Sequence, residues 1–211
     1  MQVKSFTFND FYENTYVVHD ETLTCIIVDP GCNSASEKKE LVSYIRDFKL
    51  QPAYLVNTHC HIDHILGNRY INEQFNLPLT AHKNESATLA SGIQTAQMFG
   101  IPYEESPSIT QYIDQGDYIN FGNSRFEVLF TPGHSPASIS LYAKESAVLI
   151  CGDVLFEGSI GRTDLPGGNY ELLINMIRYK FFTLPDDTVV YPGHGNPTTI
   201  GKEKTDNPFF K

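Results

Sequence analysis

Six consecutive residues, His59-Cys60-His61-Ile62-Asp63-His64, constrain this chain more than any other stretch of its 211 residues. Three imidazoles and a carboxylate this close together make a poor core. An unpartnered buried histidine is costly, and several packed side by side repel once protonated. A metal ion removes both difficulties, because neutral imidazoles become its ligands and the carboxylate balances its charge. The apolar run at 53–56, just upstream, reads as a buried strand whose end delivers Thr58 and the cluster.

The same handover recurs three times. An apolar strand at 125–130 leads to Thr131-Pro132-Gly133-His134. One at 148–150 leads to Gly152-Asp153, and one at 188–191 leads to Gly193-His194-Gly195. Loops at one rim of a rigid sheet are where sites are built, and glycines let the backbone pass close to an ion. One His-x-His pair would say little, but with three more glycine-flanked candidates the pattern points to metal chemistry.

Further strands are expected at 3–8, 15–18, 25–29, 79–81, 118–121 and 138–142. A helix follows Ser34, which forms a capping box with Glu37, and carries Leu41, Val42, Ile45 and Phe48 at helical spacing until Pro52 ends it. Other helices are expected from near Ile65, at 85–99 and around 170–179. Strands followed by helix, twice over, indicate an α/β fold with two packed sheets and helices outside, in four layers. No linker divides the chain, so residues 1–211 read as a single domain.

Composition excludes some functions. The formal net charge is -10 with no cluster of Lys or Arg, and polyanion binding works through clustered positive charge, so no nucleic-acid partner is expected. The N-terminus lacks a cationic start followed by an apolar stretch, and no apolar run approaches a membrane span. Cys25, Cys32, Cys60 and Cys151 show no CxxC pairing, which fits reduced thiols and a cytoplasmic location. His19, before Asp20, reads as an exposed turn residue, and His82 as structural. Cys60 reads as small and buried, its side chain turned away from the flanking histidines. Asp29 either orients a neighbouring imidazole or simply forms the turn before Pro30.

The HCHIDH segment resembles the HxHxDH motif of the metallo-β-lactamase superfamily. The later PGH at His134, GD at Asp153 and PGH at His194 follow that superfamily's order. Asn14, Thr15 and Tyr16, and the turn Asp29-Pro30-Gly31, are also similar to its pattern. The resemblance implies the αββα four-layer sandwich. It further implies two divalent metal ions: His59, His61 and His134 on the first, Asp63, His64 and His194 on the second, with Asp153 bridging. Mixed N/O ligation suits Zn²⁺ and also Fe or Mn. Asp63 and Asp153 are then the catalytic carboxylates. Two cations about 3.5–4 Å apart lower the pKa of a shared water, which would attack without a covalent enzyme intermediate.

The stretch 158–168 (GSIGRTDLPGG) resembles the GxGRxD loop of the glyoxalase II-like branch, and Asn207-Pro208-Phe209 resembles its ending. That likeness implies a small-molecule thioester substrate such as S-D-lactoylglutathione, the substrate of hydroxyacylglutathione hydrolase. A thiolate, with a free-thiol pKa of about 8.5, leaves without a strong general acid. Larger members of the branch carry a C-terminal helical region that contacts glutathione, and this chain ends soon after His194. Arg162 is a candidate for a substrate carboxylate, in competition with an internal pair to Asp164. The same motifs are compatible with a mononuclear iron persulfide dioxygenase, or with a hydrolase of lactones or other esters. Oligomeric state is not legible.

Overall fold

Period-two alternation in the strands builds the molecule. A computed structural model describes residues 1–211. The first sheet contains β1 (Gln2–Phe8), β2 (Glu13–His19), β3 (Thr24–Val28), β4 (Gln51–Val56), β5 (Leu79–Ala81) and β6 (Ile109–Tyr112), in that spatial order. Pairing is antiparallel from β1 to β3 and parallel from β3 to β6. Parallel neighbours need a crossover. These are α1 (Ala35–Asp47), then α2 (Ile62–Ile65) with α3 (Asn68–Phe75), then α4 (Ser86–Ala90) with α5 (Gly92–Phe99).

The second sheet contains β7 (Tyr118–Phe121), β8 (Ser124–Phe130), β9 (Ile139–Ala143) and β10 (Val148–Gly152). A small hairpin, β11 (Leu155–Phe156) and β12 (Ser159–Ile160), follows, then α6 (Tyr170–Met176), β13 (Val189–Pro192), β14 (Thr198–Thr199) and α7 (Ile200–Asp206). Its spatial order is β14-β13-β10-β9-β8-β7.

Alternate residues face opposite sides of a strand, and that rule sorts the core into three layers. Tyr16 and Val18 of β2, Ile26 and Val28 of β3, Phe126 and Val128 of β8, and Val148 and Ile150 of β10 pack between the sheets. Val17, Cys25 and Ile27 point outward onto Leu41 and Ile45 of α1 and Ile71 of α3. Leu149 and Cys151 point the other way, onto Leu173 and Ile174 of α6 and Ile200 of α7. The order is helix, sheet, sheet, helix, the four-layer sandwich expected.

The capping box forms: Glu37 N–H donates to Ser34 Oγ at 3.2 Å, and Ser34 N–H donates to Glu37 Oε2 at 2.8 Å. Pro52 does not end α1, however. It lies inside β4, opposite Cys25. The helix stops earlier, where Lys49 turns left-handed (φ 56°) and Leu50 N–H returns to the Ile45 carbonyl at 2.8 Å. That is a Schellman closure, and Leu50 and Ile45 share one apolar cluster beneath it. The helix expected near Ile65 begins at Ile62, which places Asp63 and His64 in its first turn. The segment expected as one helix over 85–99 is broken at Ser91 into α4 and α5. β6, the β11–β12 hairpin, β14 and α7 have no counterpart among the expected elements.

His19 is buried rather than exposed. Helix α1 crosses this end of the sheet, and Tyr44 Oη lies 3.4 Å from His19 Nε2. No helix is long and apolar enough to cross a membrane.

Candidate metal centre

The four strand ends identified in the sequence meet at one rim. The 59–64 segment follows β4, His134 follows β8, Asp153 follows β10 and His194 follows β13. Gly193 is required there, because a Cβ at this position would collide with Asp153 Oδ1 and crowd His64 Cε1. Asn14 secures the same loop, donating from Nδ2 to the carbonyls of Pro192 (3.1 Å) and Gly195 (2.8 Å). Tyr16 Oη donates to Pro192 O at 2.6 Å. The Asn14–Tyr16 likeness noted in the sequence therefore corresponds to a staple between the sheets.

All seven predicted side chains converge. His59, His61 and His134 form one group, with His134 Nε2 lying 2.8 Å from His61 Nδ1 and 3.2 Å from His59 Nε2. Asp63, His64 and His194 form a second. There Asp63 Oδ2 is 3.1 Å from His194 Nε2 and 3.5 Å from His64 Nε2. Asp153 reaches both groups. Its Oδ2 is 3.4 Å from His134 Nε2 and 3.5 Å from His194 Nε2, and its Oδ1 is 3.4 Å from His64 Nε2.

Surrounding acceptors set the tautomers. His134 Nδ1 donates to the Arg162 carbonyl at 2.8 Å, and His194 Nδ1 to the carbonyls of Phe11 (3.1 Å) and Tyr12 (3.2 Å). His64 Nδ1 donates to Asp29 Oδ2 at 3.2 Å. In each neutral ring the lone pair then sits on Nε2, the atom facing the centre. Lone pairs confront one another and the oxygens of Asp63 and Asp153. His64 Nε2 and Asp153 Oδ1 are buried with no hydrogen-bond partner. Nitrogen and carboxylate donors brought together in this way fit divalent cations. Asp29, His59 and His64 also cluster, but the Asp29 oxygens are already taken by Thr58 N–H (2.7 Å), Thr58 Oγ1 (2.5 Å) and His64 Nδ1. Asp29 therefore orients an imidazole, the first of its two readings.

Protonation follows the same geometry. Burial, reinforced by His64 and the neighbouring imidazoles, holds His59 well below the usual histidine range. Burial and His134 push His61 down to about 4. Burial would also lower His64, but Asp63 and Asp153 outweigh it and raise it well above the ordinary value. His194 is raised too, its burial being overcome by Asp63 and Asp153. Burial would raise Asp153, yet the imidazoles of His64, His134 and His194 bring it below the normal carboxylate range.

Arg162 and Cys60 lie outside both groups, as one reading of each expects. Arg162 is exposed and makes a forked pair with Asp164, 2.7 and 2.8 Å, so the internal partner holds its guanidinium while its carbonyl serves His134. Cys60 is buried in the outer apolar layer, where burial, with Glu85 and Asp29 nearby, drives its thiol well above its usual range. His82 stands apart from both groups, accepting from Asn84 N–H and packing on Phe130.

Two buried carboxylates escaped the sequence reading. Glu13 lies 3.9 Å from His64 Nδ1 with Oε1 unpaired, and burial raises its pKa well above the usual value. Glu85 joins two of the ligand-bearing loops. Neither residue stands in a motif; only its position next to Asn14 marked Glu13, and nothing local marked Glu85.

Comparison with known proteins agrees with this geometry. Hydroxyacylglutathione hydrolase GloC of Haemophilus influenzae is 34% identical over 212 residues, covering 100% of this chain and 98% of the relative. A solved B3 metallo-beta-lactamase, BLEG-1, superposes with a TM-score of 0.91 at 34% identity, covering all of both chains. TTHA1623, solved in a di-iron-bound form, superposes with a TM-score of 0.89 at 32% identity, covering 98% of this chain and 100% of the other. The model of the metallo-beta-lactamase superfamily matches residues 8–194. With the strand-end loops and the converging imidazoles and carboxylates, that match establishes that the chain belongs to the metallo-beta-lactamase superfamily and is built as a metal-dependent hydrolase.

Proposed function

We propose that this protein is a dinuclear hydrolase of thioesters of the S-acylglutathione type, S-D-lactoylglutathione among them. The observation that carries the metal half of this reading is the convergence of seven metal-ligating side chains, with His64 Nε2 and Asp153 Oδ1 buried and unpaired among them. His59, His61 and His134 would hold one cation, Asp63, His64 and His194 the other, and Asp153 would span the two. Zn²⁺ suits this donor set, as do Fe and Mn. Bound there, the pair supplies a lowered pKa for a shared water and a positive field for the oxyanion that develops on the substrate.

The chain's own groups do the positioning. Carbonyls of Arg162, Phe11 and Tyr12 and the Asp29 carboxylate fix ring orientation from behind. Asp63, its side chain 13% exposed beside His194, would accept a hydrogen bond from the attacking water. The thioester half is supported by the 34% identical relative named as a hydroxyacylglutathione hydrolase, and by a leaving thiolate that needs no strong acid. A small-molecule thioester is then the partner.

A steady-state screen of acyl-thioesters, lactones and β-lactams on fully metallated protein tests the substrate. Thioesters are expected to give kcat/KM at least about 100-fold above the others, a difference of about 2.7 kcal/mol in transition-state stabilisation. A β-lactam turned over faster would favour the activity named for the B3 relative. One iron per chain with oxygen uptake on glutathione persulfide would replace hydrolysis by oxidation.

The two groups differ in how they release metal on acidification. His59 and His61 have depressed pKa values and remain neutral at mildly acidic pH, whereas His64 and His194 are raised and take up protons first. Protons compete with metal for these nitrogens. Lowering the pH from 8 to about 5.5 is therefore expected to empty the Asp63, His64 and His194 group before the other. Metal content after dialysis at stepped pH reads this as a plateau near one ion per chain. Loss of both ions in one step would contradict it.

A further inference from the structure

Glu85 ends the short turn Lys83–Glu85 beyond β5 and is fully buried, without a cationic partner. A buried carboxylate is costly unless hydrogen bonds compensate it. Three do. Oε2 accepts from Cys60 N–H at 2.9 Å, and Oε1 accepts from Ser135 Oγ (2.7 Å) and Ala137 N–H (3.0 Å). Cys60 lies between His59 and His61, and Ser135 follows His134. The two loops leave different sheets, one after β4 and the other after β8. One further link, Ile139 N–H to the Thr58 carbonyl at 2.9 Å, joins them just behind the imidazoles.

We infer that Glu85 is the positioning residue of the first metal group, clamping the His59–His61 loop to the His134 loop so that their three nitrogens share one point. The second group has separate supports: Asp29 behind His64, the Phe11 and Tyr12 carbonyls behind His194, and Asn14 on the His194 loop. Loosening Glu85 therefore acts on one cation of the two. Shape alone does not replace it. An amide offers a single accepting oxygen, and its NH₂ would face a donor, whichever way it is turned.

The test is Glu85→Gln, with Zn²⁺ alone as the probe and binding read by competition with a chromophoric chelator. One of the two ions is expected to bind about 10-fold more weakly, as when support behind a ligand is lost, and the other within about 2-fold of wild type. Asp20→Asn is the comparison. Asp20 is also buried and accepts from Thr22 N–H, Thr22 Oγ1 and Asn123 N–H, but beyond the far end of β2. It should lower Tm and leave both zinc affinities unchanged. Wild-type affinities in Glu85→Gln, even with a lower Tm, would overturn the proposal, and so would equal weakening of both ions. Should Glu85→Gln fail to fold, Ser135→Ala removes one of the three bonds and is expected to weaken the same ion about 3-fold; no change would overturn the proposal equally. The inference rests on the two-cation reading. Wild-type protein binding fewer than two zinc ions would sink that reading, while Glu85 is judged on the variant's ratio to wild type.

Discussion

Asp153→Ala is expected to lower kcat/KM for a thioester by roughly a thousandfold or more, the scale on which loss of a key electrostatic partner acts, in a chain that stays folded. The carboxylate is the one group within 3.5 Å of imidazoles from both clusters, through His134 on one side and His64 and His194 on the other. Without it, nothing fixes the separation of the two cations. Metal content should fall below two per chain. The fold should survive, because the main chain around Asp153 is held independently, with Gly193 N–H on the Gly152 carbonyl at 2.8 Å and Gly161 N–H on the Val154 carbonyl at 3.3 Å. Steady-state kinetics, elemental analysis and circular dichroism on one preparation check all three statements. Wild-type turnover at wild-type metal content would remove Asp153 from the mechanism.

A larger effect on stability is expected at Asp29, which touches no substrate. It is buried and accepts from Thr58 N–H, Thr58 Oγ1, Asn57 Nδ2 (3.4 Å) and His64 Nδ1. Asp29→Ala strands these donors and leaves the raised imidazole of His64 without the carboxylate behind it. Breaking one partner of a buried charged network costs about 3–5 kcal/mol. Urea denaturation of the metal-free protein should show a loss on that scale, greater than for Asp153→Ala, because Asp29 accepts four hydrogen bonds from the 57–64 segment whereas Asp153 has only imidazole contacts of 3.4 to 3.5 Å. Similar losses in the two variants would mean that Asp29 is not the structural anchor of the 57–64 segment. Zinc binding by the second group should weaken in parallel, since His64 would be free to turn.

Much of the molecule could be read from local pattern. Alternation in 25–28 and 148–151 already separates residues facing the other sheet from those facing helices, because pleating assigns faces without reference to any partner. The ligand loops were legible for a similar reason: each is an abrupt local change, from apolar strand to glycine and then to His or Asp. Errors arose where a distant element intervened. His19 looks like a turn residue until α1 covers it with Tyr44. Pro52 looks like a helix stop, but Lys49 and Leu50 close α1 first and the proline falls in a strand. Glu85 had no local mark at all, since its three donors lie 25, 50 and 52 residues away.

From the sequence alone came the chemical kinds and chain order of seven donors and the strand ends that carry them, since those are properties of single side chains and short segments. Tertiary structure alone decided which nitrogen of each ring faces inward, that Arg162 contributes a carbonyl while its guanidinium pairs with Asp164, and that Glu13, Asp29 and Glu85 stand behind the centre. The reason is physical. A ring's tautomer and aim depend on acceptors such as the Arg162 carbonyl, 28 residues from His134, and Phe11, 183 from His194, and only folding brings those within hydrogen-bond reach.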